Sequence, residues 1–141
     1  MNNSTTVRRL SRMALAVTAV AGIGLASAPS ASALTKDGAL EAYEFGLYYN
    51  SGQLGCVFDL ANSDWNFSGD TFWKVSGTCN GIGQSTNDNT ASYRNRDNET
   101  WWVYTDADGD GAEGTLPAGY AGDASSTFKN EISSAFPYDA H

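Results

Sequence analysis

The chain has 141 residues with two cysteines, one histidine and a formal net charge of −8. All sixteen acidic residues follow residue 33, so residues 34–141 hold five basic residues against sixteen acidic ones, a net charge of −11. A surface this negative repels phosphate backbones and anionic membranes, which argues against nucleic-acid binding. The single histidine is His141, so histidine-dependent triads and paired-histidine zinc sites are excluded.

The N-terminal segment has the order of parts of a secretory signal. Three arginines within residues 8–12 precede an apolar stretch from Met13 to Ala26, and small residues follow up to Ala33. The apolar stretch is short for a bilayer-spanning helix and is broken by glycines. We therefore predict a secreted protein, cleaved after about Ala33, with a single domain over residues 34–141. A membrane-spanning helix is the alternative, and the export route stays open between the general and twin-arginine pathways.

Cys56 and Cys79 both lie after the predicted cleavage point. In an oxidising compartment an isolated cysteine pair is most simply a disulfide, and closing a loop of this length would stabilise the fold by about 3 kcal/mol. Two free buried thiols are the alternative. Two cysteines and one histidine are too few ligands for a typical structural zinc site.

Strand-like alternation runs through the rest of the chain in place of a helical period. Alternate aromatic and aliphatic residues from Tyr43 to Tyr49 would share one face of a strand, with Glu44 on the opposite face. Residues 100–104 are a second strand candidate. Short strands separated by turn residues predict an all-β sandwich or barrel. Residues 37–44 and 125–134 could form helical turns, but neither pattern supports a long helix.

An internal repeat is the most informative feature of the sequence. Residues 87–95 line up with residues 122–130, because aspartate, a small hydroxyl residue, an aromatic, a cation and asparagine recur in the same order. Each copy follows an aromatic strand and a glycine turn. The repeat indicates two units, about 41–95 and 99–136, that share one core as a pair of Greek keys. The first unit carries extra residues, Asn62 to Gly83, called the expansion below.

The aromatic hairpin followed by Asn-Asp-x-x-Ala-Ser-Tyr-Arg at residues 87–94 resembles the βγ-crystallin Greek-key motif. Together with the predicted secretion signal, it resembles the βγ-crystallin-like proteins grouped as peptidase inhibitor family I36, whose best-known member inhibits thermolysin-like metalloproteases. The resemblance implies a sandwich of two Greek keys that is an inhibitor and not an enzyme. It also implies that Ser92 and Thr127 tie down hairpin turns whose glycines are Gly55 and Gly114.

The same resemblance raises calcium binding. Crystallin-type sites resemble Asn/Asp-Asn/Asp-x-x-Ser/Thr-Ser, and two motifs supply oxygen ligands to each other, which suits the irregular coordination of calcium. The first copy has Ala91 where the fifth-position hydroxyl belongs, and the second copy has Gly122 at its first position. One calcium site, formed by Asp88 with Ser126, could remain. Turn hydrogen bonds without a metal are the alternative.

These observations lead to one expected function and one rival. We expect a monomeric, secreted peptidase inhibitor without catalytic residues, whose partner is a secreted protease. The family resemblance implies that this protease is a metalloprotease. Such an inhibitor presents a rigid loop to the protease cleft. The expansion is the best candidate for that loop, because a Cys56–Cys79 bridge would brace it, although a plain surface loop is the alternative. The rival is a non-inhibitory module that is stabilised by calcium or associated with the cell wall.

Overall fold

The computed structural model describes residues 34–140, so the predicted signal segment lies outside the described residues. Within that range the chain forms strands joined by turns; the segments 37–44 and 125–133 contain turns and no helix, and Ser134 begins a strand. No helix of the described range is long and apolar enough to cross a membrane. The strands are β1 (Phe45–Asn50), β2 (Leu54–Leu60), β3 (Ser92–Asn95), β4 (Trp101–Tyr104), β5 (Glu113–Leu116), β6 (Ala121–Asp123) and β7 (Ser134–Pro137), and the short 3₁₀ turns are Phe67–Gly69, Ala107–Gly109 and Tyr138–Ala140.

The strands form two antiparallel sheets, ordered β2-β1-β3-β6 and β5-β4-β7. The second half of the chain contributes β6 to the sheet of the first half, where it pairs with β3. In return, Asp64 of the expansion forms a β-bridge with Ala135 of β7. Each half thus completes the sheet of the other, which is the arrangement of two Greek keys around one core. The predicted all-β sandwich is confirmed.

Aromatic side chains fill the space between the sheets. Phe45 opens β1 and Trp101 opens β4; both are fully buried, and their ring centroids lie 4.9 Å apart. Equivalent positions of the two halves therefore meet at the centre of the core. The expansion contributes to the same core through two of its phenylalanines. The other buried residues of this cluster include Leu47, Phe58, Leu60, Phe67, Phe72, Tyr93, Val103, Leu116 and Ile132.

The first half of β1 is buried on both faces. Phe45 and its neighbours at alternate positions face the core, as the alternation predicts, although Tyr43 lies before the strand and is exposed. Glu44, which comes directly before β1, is also fully buried. The residues before β1 fold back over the opposite face of the strand, and the side chain of Leu40 packs on Gly46.

The two halves repeat in a register different from the predicted one. β3 begins at Ser92 and pairs with β1, and β7 begins at Ser134 and pairs with β4 in the same way. Residues 87–92 therefore correspond to residues 129–134. The equivalence with residues 122–127 is wrong, because residue 122 lies in β6, which crosses to the other sheet.

Candidate functional site

A serine closes the hairpin of the first half. The hydroxyl of Ser92 donates to the carbonyl oxygen of Asn50 at 2.6 Å and accepts from the backbone N–H of Gln53 at 2.9 Å. These two groups lie on either side of the turn between β1 and β2. The side chain of Ser92 therefore lies at the turn and bonds both of its ends.

The corresponding serine of the second half is Ser134, and not Thr127. The hydroxyl of Ser134 donates to the carbonyl oxygen of Asp106 at 2.7 Å and accepts from the N–H of Gly109 at 3.2 Å. Thr127 is exposed in the turn that precedes β7. The prediction for Thr127 is corrected because it followed from the wrong register of the repeat.

The turn glycines follow the same corrected register. Gly55 has φ +79°, and a side chain there would lie 2.9 Å from the carbonyl oxygen of Asn80. Its counterpart is Gly111, with φ +81°, which also has no room for a Cβ. Gly114, predicted for this role, lies inside β5 opposite Val103. A left-handed backbone in a crowded turn favours glycine, so Gly111 replaces Gly114 in this role.

The segments that precede β3 and β7 exchange backbone hydrogen bonds. The N–H of Asp88 donates to the carbonyl oxygen of Ile132 at 3.1 Å, and the N–H of Asn130 donates to that of Thr90 at 2.8 Å. Asp88 and Asn130 both have a left-handed backbone, with φ +59° and +60°. This reciprocal pairing brings the second position of one motif next to the fifth position of the other.

One of these two junctions has oxygen donors that fit calcium. The hydroxyl of Ser133 donates to Oδ1 of Asp88 at 3.2 Å, so Asp88 meets Ser133 in place of the predicted Ser126, which is exposed. A carboxylate and a hydroxyl are oxygen ligands of the kind that calcium accepts. The other junction does not fit, because Ala91 offers no side-chain oxygen and Lys129 is a cation. Across residues 34–140 no cluster of three or more Asp, Glu, His or Cys side chains is placed to hold a metal.

The sequence contained a signal for this junction. Residues 130–134 read Asn-Glu-Ile-Ser-Ser, which keeps the Asn-x-x-Ser-Ser part of the crystallin pattern. The alternative match at residues 122–130 had the aspartate Asp123 and the aromatic Phe128 in its favour. The two registers differ in which segment comes directly before the strand that pairs with β4. That depends on how the strands pair in the sheets.

The predicted disulfide between Cys56 and Cys79 is formed. Cys56 lies in β2 and Cys79 near the end of the expansion, so the bridge fastens the expansion to the first hairpin. Beside it, the N–H of Cys56 donates to the carbonyl oxygen of Asn80 at 2.9 Å. The C-terminal side of the expansion is therefore attached twice to the same strand.

The N-terminal side of the expansion is held by β-bridges. Val57 of β2 pairs with Trp73, and Thr71 pairs with Ser85. Phe72, between these two bridges, is fully buried and packs edge-on against the ring of Tyr49. The chain therefore leaves β2 at Trp73 and is joined to it again at Cys79.

Between these attachments the six residues from Trp73 to Thr78, the Trp73 loop, are all exposed. Trp73 is 54% exposed and Val75 is 67% exposed, and Lys74 lies between them. Two large apolar side chains are therefore exposed within three consecutive residues of the loop. The loop is accessible in its middle and fixed at both ends.

Comparison with known proteins finds the same protein family and the same fold that the sequence resembles. The model of peptidase inhibitor family I36 matches residues 55–116, which include both cysteines and the Trp73 loop. A solved structure described as "Evolution of the eye lens beta-gamma-crystallin domain fold" is similar, with a TM-score of 0.55 at 18% identity. The match covers 70% of this chain and 89% of that chain, and at this identity it shows the fold alone. No curated protein sequence matches this chain.

The two matches confirm the resemblance found in the sequence. The family match supports a peptidase inhibitor, which implies a protease as partner, and neither match is to an enzyme. The chain has the βγ-crystallin fold and matches peptidase inhibitor family I36 over residues 55–116.

Proposed function

We propose that the protein is a secreted peptidase inhibitor and that the Trp73 loop enters the cleft of its protease. The observation that carries this proposal is the exposed run from Trp73 to Thr78, closed by a disulfide within the segment that the inhibitor family matches. A loop whose ends are fixed loses little conformational entropy on binding. Its fixed ends also oppose the separation of the two new termini after cleavage.

The proposed target is a metalloprotease with apolar specificity pockets. This class follows from the resemblance to family I36, and the exposed side chains of Trp73 and Val75 suit pockets lined by apolar groups. Serine and cysteine peptidases are the alternatives. In this proposal the protein acts as a monomer, because one loop on one chain forms the contact with the protease. It acts outside the cell, as the predicted secretion signal implies.

A panel of proteases tests the proposal. The chain from Leu34 onward is titrated against a thermolysin-like metalloprotease, a subtilisin-like serine protease and a papain-like cysteine protease. We expect near-stoichiometric inhibition of the metalloprotease, with the inhibitor chain intact afterwards. Absence of inhibition of every class at large molar excess would contradict the proposal.

A matched pair of variants tests the loop. Val75→Asp places a charge in the Trp73 loop, and Leu54→Asp places one at an equally exposed apolar residue of the first hairpin, with 67% and 64% exposure. Val75→Asp should weaken inhibition by about 30-fold or more, as expected for a central contact, and Leu54→Asp should leave it unchanged. Equal effects of the two variants would assign inhibition to another surface.

A second candidate function is a non-inhibitory module stabilised by calcium, including one that acts at the cell wall. It is favoured by the contact between Asp88 and Ser133, which joins the two halves of the domain through side-chain oxygens. A single carboxylate at the junction would give a weak site, because affinity for calcium depends on the number of charged ligands.

A further inference from the structure

The segment that follows the predicted cleavage point contacts the Trp73 loop. We call residues Thr35–Gly38 the N-terminal strap. Gly38 has φ +81° and lies so close to the loop that a Cβ there would overlap the carbonyl group of Trp73 and the Cα of Lys74. The strap therefore supports the backbone of the loop at its first two residues, and only glycine fits at this contact.

The strap is anchored on β2. Both carboxylate oxygens of the buried Asp59 accept its backbone N–H groups, from Asp37 at 3.2 Å and from Gly38 at 2.7 Å. The carbonyl oxygen of Asp59 also accepts from the N–H of Lys36 at 2.9 Å. Bonds between N–H groups and a buried carboxylate are among the stronger hydrogen bonds in proteins. The strap thus has a defined position relative to the strand that carries Cys56.

Lys36 joins the strap to residues 64–70 of the expansion, which lead into the Trp73 loop. Its Nζ forms ion pairs with Asp64 at 2.7 Å and Asp70 at 2.9 Å, and lies 5.3 Å from the ring centroid of Phe58. Both carboxylates belong to the expansion and are largely shielded from solvent. The Lys36 side chain is itself 40% exposed, so water screens these pairs less than pairs between two exposed groups but more than a fully buried pair.

We propose that the N-terminal strap positions the Trp73 loop, and that Lys36 and Gly38 are positioning residues for inhibition. The disulfide holds the end of the loop near Cys79, and the strap holds its beginning at Trp73. Without the strap, the loop keeps its fold but moves more, and a protease cleaves it as a substrate. The effect on inhibition rests on the proposed function, whereas the effect on loop motion is a property of the free protein.

Hydrogen exchange on the free protein tests the positioning role. Lys36→Met removes both ion pairs, Lys36→Arg keeps the positive charge, and Lys129→Met is a control at a lysine of the other half. We expect Lys36→Met to raise the exchange rates of the hydrogen-bonded amides at the base of the loop, those of Phe72, Gly83 and Thr86, about tenfold while those of β4 stay unchanged. Lys36→Arg should restore slow exchange, and Lys129→Met should have no effect. Unchanged loop exchange in Lys36→Met, or an equal rise throughout the domain, would overturn the proposal.

The course of protease inhibition gives a second readout. With Lys36→Met, and with Gly38→Ala if that variant folds, inhibition should become temporary: protease activity recovers as the chain is cut within residues 73–78, which mass spectrometry detects. Permanent inhibition by Lys36→Met would overturn the proposal. If the wild-type chain inhibits no protease but the loop exchange still rises in Lys36→Met, the positioning role stands and the proposed function fails.

Discussion

Glu44 is a carboxyl group held inside the protein. It is fully buried; its Oε2 accepts the N–H of Glu41 at 2.7 Å, and its Oε1 has no hydrogen-bond partner within the described residues. Burial raises the pKa of Glu44 to about 7, and the nearby charge of Asp59 acts in the same direction. In the unfolded chain the same group ionises near its ordinary value of about 4.3. The folded state therefore binds this proton more tightly than the unfolded state.

This shift predicts that stability falls as the pH rises. The contribution of Glu44 is fully present below about pH 4 and is lost as the pH passes through about 7, with a total of about 1–3 kcal/mol. Glu44→Gln, which stays neutral, should lack this loss. Urea unfolding of both proteins between about pH 4 and 8 measures the difference. Parallel pH profiles for the two proteins would contradict the prediction.

At the scale of the element, each half of the domain depends on a hairpin that is closed by a serine from a later strand. Ser92 closes β1–β2 and Ser134 closes β4–β5. Both serines are fully buried. Because each hydroxyl bonds a carbonyl and an N–H of the turn, its removal leaves two backbone groups without a partner.

Ser134→Ala should therefore destabilise the domain by about 1–3 kcal/mol. Thr127→Ala is the matched control: the residue is exposed and lies in the turn before the same strand, so its loss should change stability by less than about 0.5 kcal/mol. Thermal and urea unfolding measure both values. A larger effect at Thr127 than at Ser134 would restore the register predicted from the sequence.

At the scale of the whole molecule, the two halves cannot be separated without breaking both sheets. β6 completes one sheet, Asp64 bridges to the other, and Phe45 stacks on Trp101 between them. The reciprocal bonds of Asp88 and Asn130 join the halves again near the surface. A ligand at that junction would bind the folded protein and not the unfolded chain, so it would stabilise the entire domain.

Calcium is the ligand to test at this junction. If it binds at Asp88 and Ser133, millimolar calcium should raise the Tm of the wild-type protein by a few degrees, and magnesium should have less effect because it requires a more regular shell of ligands. Asp88→Asn keeps a residue that accepts the left-handed backbone but removes the charge, and should abolish the rise. A calcium effect that is equal in both proteins would place the ion elsewhere.

The sequence allowed much of the architecture to be predicted. Strands near Tyr43–Tyr49 and at residues 100–104, the Cys56–Cys79 bridge and a two-unit sandwich all depend on local alternation, turn residues or cysteine count. The strand that carries Ser134 was missed, because two segments matched the same short pattern. The pattern itself cannot say which segment precedes the strand that pairs with β4.

The sequence by itself determined the acidic charge, the β class, the presence of two similar units and the family resemblance, because composition and periodicity are properties of neighbouring residues. Tertiary structure alone decided which residues meet. It brought Asp88 to Ser133 across 45 positions and Lys36 to the two carboxylates of the expansion. It also buried the carboxyl group of Glu44, directly before β1. Contacts of this kind depend on the exchange of strands between sheets, and that exchange is decided when the whole core packs.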